Sequence, residues 1–358
     1  MSNPHILPNA IAAIGNTPIV RLGRVVREWN GKPTVANFFA KLEFMNPGGS
    51  VKDRIGNYLI EDAEKRGELK PGGTVVEATS GNTGVGLAMA AAIKGYKTVF
   101  VLPDKMSADK ILFLRAFGAE VVLTPSGVEP TDPKSHYSVA RRIAQETPNA
   151  FLVNQYDNLA NRRAHYERTG PEILGQMPEI DALVAGMGTG GTITGTGQYL
   201  KEKKPSVMLV CADPIGSIIH DVHATGKQTK PAAPYKVEGI GEDFIPKNFE
   251  LPMLDSVIQV GDLDSLTMAR RLLTEEGIFS GTSAGTAVVA ALKWAEGLGA
   301  GAKAKNILII LPDSGDRYMS KLWNDGWMEE NGFLGANAPR MPKVTLIEGA
   351  KVPYGMKL

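Results

Sequence analysis

The sequence predicts an α/β fold of two domains, each built on a mostly parallel twisted sheet. Three observations carry this reading. Short apolar runs of strand length alternate with helix-period segments. Two glycine-rich stretches directly follow such runs and open helices, as loops do at the carboxyl ends of parallel strands. The chain has 358 residues, more than the roughly 150 expected of one domain.

Taken in order, Lys41 lies near the end of an early strand, where a structural ion pair is its expected role. Thr74–Ala78 reads as a strand and 85–93 as the helix after it, packed closely through Gly84 and Gly86. Strands at 98–102 and 120–123 alternate with helices at 109–117 and His136–Glu146. Later strands fall at 182–185, 207–212 and 307–311, with helices opening near Ile193 and at 286–294. The proline-bearing stretches 127–134 and 228–234 read as surface loops. The chain crosses between domains around 148–156. This divides it into a smaller α/β domain (46–150), a larger α/β domain (1–45 and 151–345) and a C-terminal tail (346–358).

Composition narrows the function classes. There are 39 basic and 38 acidic residues, a net charge of +1, so no global field invites nucleic acid or anionic lipid. The one cysteine, Cys211, sits in an apolar run and reads as a buried thiol. It makes no intramolecular disulfide and no cysteine-rich metal site. No signal peptide is evident, and no apolar run approaches the ~18 residues of a membrane span. The expected location is cytoplasmic. His220 and His223 have metal-like spacing but no third ligand nearby, and read as solvated loop residues.

The stretch Thr79-Ser80-Gly81-Asn82-Thr83-Gly84 sits between a strand and a helix. Hydroxyls, an amide side chain and backbone N–H groups converge there at a helix N-terminus, which binds anions. Upstream lies one loop lysine, in Asn46-Pro47-Gly48-Gly49-Ser50-Val51-Lys52-Asp53-Arg54. An amine nucleophile beside an anion cradle suggests a carboxylate substrate, the layout of pyridoxal-phosphate chemistry on an amino acid.

A second loop, Gly186-Met187-Gly188-Thr189-Gly190-Gly191-Thr192, leaves three readings open. Gly186, Gly188 and Gly191 satisfy G-x-G-x-x-G, with Asp213 where a ribose-binding acid belongs. That dinucleotide reading leaves the Lys52 and Asn82 loops unexplained. The same loop could hold a single phosphate through its N–H groups and the Thr189 and Thr192 hydroxyls, or it could be a plain tight turn. In Ser280-Gly281-Thr282-Ser283-Ala284-Gly285 a serine could cap the following helix or face a ring nitrogen.

Together these motifs resemble the cysteine synthase/cystathionine β-synthase family of fold-type II pyridoxal-phosphate enzymes, which implies tryptophan synthase β-like architecture with the active site between the two domains. The resemblance runs from Ile14-Gly15-Asn16-Thr17-Pro18 to about Phe333. It implies that Lys52 carries the cofactor as a Schiff base and that Asn82 bonds the ring oxygen. By the same resemblance Gly188, Thr189, Gly190, Gly191 and Thr192 bind the phosphate, and Ser283 faces the pyridine nitrogen. Thr79, Ser80, Gly81 and Thr83, with Gln155 and Tyr156, would hold the substrate.

Glu238-Gly239-Ile240-Gly241-Glu242-Asp243-Phe244 resembles the cystathionine-forming branch, with Glu238, Gly239 and Glu242 facing substrate. Animal members of that branch carry tyrosine where Glu242 stands. The implied activity is β-replacement on L-serine, or an O-activated serine, by L-homocysteine, through an aminoacrylate, to give L-cystathionine. The alternative is cysteine formation from O-acetylserine and sulfide. A non-catalytic nucleotide- or amino-acid-binding protein is a third reading. The resemblance further implies a catalytic core without the haem-binding extension or the C-terminal regulatory domain, hence no haem. It also implies a homodimer without nucleic-acid or membrane partners. The segment 323–333, rich in aromatic residues, could supply interface area or belong to the protomer's own core.

Overall fold

The computed structural model describes residues 6–334, 338–342 and 345, apart from Ser80, Lys105, Ser107 and Pro130. The C-terminal tail at 346–358 lies outside the described residues. Two sheets organise the chain. The larger has six strands in the order Ile19–Arg21, Asn37–Leu42, Asn306–Leu311, Ala182–Gly186, Met208–Pro214 and Ser256–Val260. Its pairs are parallel except Ile19–Arg21 against Asn37–Leu42. The smaller has four parallel strands, in the order Glu120–Thr124, Lys97–Pro103, Thr74–Ala78 and Ala150–Leu152.

Parallel strands place their carboxyl ends at one edge, and the loops that leave them meet there. From three adjacent strands of the larger sheet come the segments that begin at Glu43, Met187 and Pro312. Isolated bridges tie two further contacts into this edge: Ser50 to Asp313 and Ser280 to Ser314. Helix Thr282–Leu298 backs the sheet and is buried along most of its length, including Ala284, Val288 and Leu292. A helix apolar on all sides belongs in such a core.

Helix Lys52–Lys65 crosses helix Asn82–Lys94 at glycines. A Cβ on Gly56 would stand 2.3 Å from the Gly86 carbonyl carbon, and one on Gly86 would stand 2.6 Å from the Lys52 carbonyl oxygen. Backbone therefore meets backbone. A buried ion network anchors the first of these helices to the larger sheet. Arg54 donates from Nε to Glu43 at 2.6 Å and from Nη1 to Glu172 at 2.8 Å. Lys41 donates to Glu172 at 2.5 Å and to the Thr17 carbonyl at 2.6 Å, the ion pair expected of it. Burial would raise the Glu172 pKa, but Arg54 and Lys41 hold it down at about 2.

Some elements differ from the sequence reading. The helix after Thr74–Ala78 begins at Asn82, so Asn82 and Thr83 lie in its first turn. His220 and His223 lie on helix Ile219–Thr225, not in a loop, and no metal-binding cluster occurs among the described residues. The segment 323–333 packs inside the protomer: Trp323 stacks 5.1 Å from Phe279, and Met328 is buried with them. Cys211 is buried as expected. Among the described residues no helix is long and apolar enough to cross a membrane.

The glycine crossing sets a test. Gly56→Ala should destabilise the protein by about 1–3 kcal/mol, the range for overpacking. Gly175 lies exposed in helix Gly170–Gln176 with nothing within 4 Å of its would-be Cβ. Gly175→Ala should stabilise by up to about 1 kcal/mol through helix propensity. Denaturant unfolding of both variants checks the opposite signs.

Candidate active site

The loops at the sheet edge surround a cavity lined by Lys52, Gly188, Thr189, Gly190, Thr192 and Gly239 among others. Lys52 is the first residue of its helix and is half-buried. Its amine has no hydrogen-bond partner among the described residues. Burial lowers its pKa, against the raising effect of Asp313 and Glu242.

The glycine loop after Ala182–Gly186 is held tightly from outside. A Cβ on Gly188 would lie 2.6 Å from the Gly239 oxygen, and one on Gly190 2.5 Å from Phe249 Cβ. Gly190 also has φ +84°, which favours glycine. Helix Gly191–Lys203 starts at once, so its N-terminal N–H groups and the Thr189 and Thr192 hydroxyls share one end. Asn161, wholly buried, donates from Nδ2 to Thr189 Oγ1 at 2.9 Å and to the Gln155 carbonyl at 2.8 Å. His165, also buried, contacts Thr192 Oγ1 through Nε2 at 3.1 Å and Thr169 Oγ1 through Nδ1 at 3.0 Å. Burial, with Arg54 and Lys52 nearby, drives its pKa well down, so it is neutral. Asp213, the would-be ribose acid, instead accepts from the His220 N–H at 3.1 Å.

The anion loop after Thr74–Ala78 is built similarly. Thr83 donates to Gln155 Oε1 at 2.6 Å, which joins two of the residues expected to hold substrate. Buried Glu77 accepts from the N–H groups of Asn154 at 2.7 Å and Gln155 at 3.3 Å. Thr79 is buried, and its Oγ1 accepts from Gly81 N at 3.3 Å. Ser80 lies outside the described residues. Asn82 donates from Nδ2 to Asp313 at 2.7 Å and accepts from Arg317. Ser283 is buried in the first turn of its helix, which Gly281 caps without a side-chain bond. The serine is therefore not the cap, and its hydroxyl has no hydrogen-bond partner among the described residues.

The loop 238–242 contributes two unlike acids. Glu238 pairs with Lys110 and, at 2.7 Å, with Lys321. Burial would raise its pKa, but the two lysines hold it low. Glu242 is half-buried and beside Tyr156. Burial pushes its pKa up to about 8, aided by Asp243. Sequence reasoning missed Asn161, His165, Glu77, Asp313 and Arg317. Each has a partner far off in the chain, even where a second is near (Thr169 for His165, Tyr318 for Asp313), so no local spacing marks the contact.

The sequence profile of the family described as pyridoxal-phosphate dependent enzyme matches residues 11–313. The chain belongs to this family. Its cofactor is pyridoxal 5'-phosphate, and its fold is the fold-type II architecture. The chain is 47% identical over 333 residues to cystathionine beta-synthase of Rattus norvegicus, covering 93% of this chain and 58% of that protein. It thus spans under two thirds of the length of that relative. Among solved structures, cysteine synthase from Entamoeba histolytica superposes with TM-score 0.79 at 35% identity, covering 89% of this chain and 92% of the other. O-acetylserine dependent cystathionine beta-synthase from Helicobacter pylori does so with TM-score 0.78 at 37% identity, covering 88% and 98%.

Asn161 offers the next test. Asn161→Ala removes one donor from two buried acceptors, at a cost of about 1–3 kcal/mol. In this family member it should weaken cofactor retention by about tenfold or more, equivalent to ~1.4 kcal/mol. Equilibrium dialysis of the variant against free cofactor measures this.

Proposed function

We propose that this chain catalyses β-replacement on L-serine by L-homocysteine, giving L-cystathionine. The observation that carries the reading is the Lys52 amine, without a hydrogen-bond partner among the described residues, in a cavity lined by the glycine loop and by Gly239 of the acidic loop. The cradle fits a phosphate: close-packed glycines leave room, and two threonine hydroxyls stand at a helix N-terminus. Gly188 to Thr192 would hold it. Asn82 uses one Nδ2 hydrogen on Asp313, which leaves the second for the ring oxygen. The Ser283 hydroxyl would meet the ring nitrogen. Thr79, Ser80, Gly81, Thr83, Gln155 and Tyr156 would hold the amino-acid substrate.

When bound, pyridoxal phosphate supplies a sink for the electron pair left at Cα. Lys52, its pKa lowered by burial, suits removal of the Cα proton. The choice of acceptor rests on charge. Homocysteine carries an ammonium and a carboxylate, and the Glu238–Lys110–Lys321 cluster offers both signs. Gly81 packs against Lys110, 3.8 Å from its would-be Cβ, so the cluster reaches the anion loop. Glu238, held ionised, suits ammonium recognition rather than proton removal from a thiol. The likeness to the rat enzyme supports this reading. That to the Entamoeba enzyme supports the competitor, cysteine from O-acetylserine and sulfide.

The proposal extends to domain boundaries, location and assembly. The two sheets support division into 46–150 against 1–45 with 151–345, although Ala150–Leu152 pairs with the smaller sheet and favours a junction after Leu152. A cytoplasmic homodimer is supported by the family resemblance.

Product analysis of serine or O-acetylserine, each paired with homocysteine or sulfide, tests the function. Cystathionine from serine and homocysteine is expected. Glu238→Gln should raise the homocysteine KM about tenfold, the loss of ~1.4 kcal/mol, with little change in serine KM. Product only from O-acetylserine and sulfide would overturn the reading.

A further inference from the structure

Two carboxyls act electrostatically on Lys52: Asp313 and Glu242. They differ in freedom. Asp313 is buried, and its Oδ2 accepts from Asn82 Nδ2 at 2.7 Å and from the Tyr318 hydroxyl at 2.6 Å. That oxygen is committed to the wall, and Oδ1 is buried against Gly281, 2.2 Å from where a Cβ there would stand, with no hydrogen-bond partner among the described residues. Glu242 is half-buried on the loop that lines the cavity through Gly239 and Ile240. Its Oε1 lies 3.9 Å from where a Cβ on cavity-lining Gly188 would stand.

The Glu242 backbone is fixed. Ser217 Oγ accepts from Glu242 N and donates to Glu242 O, both at 3.2 Å. Ile218 N donates to the same carbonyl at 3.0 Å. Its carboxyl forms no ion pair among the described residues, whereas Glu238 on the same loop forms two. The groups that face it are Tyr156, Tyr137, Tyr235, Asp243 and Lys52. Burial above all, then Asp243, raises its pKa to about 8, against the Tyr156 hydrogen bond and the Lys52 charge. It therefore holds a proton at neutral pH.

Leaving groups differ in what they need. Acetate departs as a stable anion. A hydroxyl departs readily only when it is protonated as its bond to carbon breaks. We propose that Glu242 donates the proton to the leaving hydroxyl of L-serine, and so fits this site to serine over pre-activated donors; this rests on the β-replacement reading above.

The step balances. The Lys52 amine takes the Cα proton, and the pair left behind forms a second bond between Cα and Cβ. The Cβ–O bond breaks with its pair on oxygen, which takes the Glu242 proton and leaves as water. The Glu242 carboxylate then takes the thiol proton of homocysteine as sulfur bonds to Cβ. A thiol near pKa ~8.5 is well matched to this. Lys52 returns its proton to Cα. Serine and homocysteine have become cystathionine and water, and both residues regain their starting forms.

The test uses holoenzyme and E242Q, with the first half-reaction followed from serine and from O-acetylserine without thiol. E242Q should lower the serine rate relative to the O-acetylserine rate by about 100-fold or more, the usual worth of a general acid. E242D, which keeps an acid, should recover part of that ratio. In the wild type the ratio should fall as pH rises through about 8, where Glu242 ionises, and in E242Q this limb should vanish. Independently of turnover, difference infrared spectroscopy at neutral pH should show a protonated carboxyl band that E242Q lacks. Equal losses for both donors, or no such band, would overturn the proposal while serine remained a substrate. A wild type that uses O-acetylserine and never serine would overturn the serine reading itself, and this inference with it.

Discussion

The site depends on the crossing of two helices whose backbones touch. Gly86 packs against the Lys52 carbonyl and Gly56 against Gly86. Each helix begins at a site residue, Lys52 in one and Asn82 in the other. Side chains of any size at the crossing would separate those N-termini. Two residues beyond Lys52, Arg54 is clasped by Glu43 and Glu172, which fasten the same helix to the larger sheet. Removing one member of such a buried set leaves an uncompensated charge, at a cost of about 3–5 kcal/mol. The lysine is thus presented to the cavity by backbone contact on one side and an ion network on the other.

Environment then sorts groups of one chemical type into different states. Glu238, between Lys110 and Lys321, is ionised. Glu242, four residues on and without an ion pair among the described residues, has its pKa pushed up to about 8 by burial. Asp313 is also raised by burial, but its Oδ2 is spent on Asn82 and Tyr318 and its Oδ1 is packed against Gly281. His165 is kept neutral and orients Thr192 in place of adding charge. Separating the protonation states of neighbouring groups is how one site accommodates both acid and base work.

Much of this was legible in the sequence where local pattern decides structure. Thr74–Ala78 forms as read because it is apolar on both faces, with Val75 in one core and Val76 and Ala78 in another, and His136–Glu146 because Val139 and Ala140 face the second of these. The glycine loop after Ala182–Gly186 was visible, but the local partner of its Asp213 decoy, the His220 N–H in the first turn of helix Ile219–Thr225, was not. Helix Lys52–Lys65 escaped the reading because Asp53, Arg54, Asn57 and Asp62 are buried along with Ile55 and Leu59. Arg54 and Asp62 are held by ion pairs, Asp53 by the Gly48 N–H and Asn57 by Glu61, so buried polar residues interrupt the apolar spacing of Ile55, Leu59 and Ala63. Asn161, which links Thr189 to Gln155, gave no signal at all. Its importance lies in partners brought to it by the fold.

That Lys52 carries the cofactor is tested most directly by reducing the lysine–cofactor linkage with borohydride, then digesting the protein and mapping the label by mass spectrometry. The label should fall on the peptide that contains Lys52 and on no other. A label on Lys41 or Lys110, with the Lys52 peptide unmodified, would contradict the assignment.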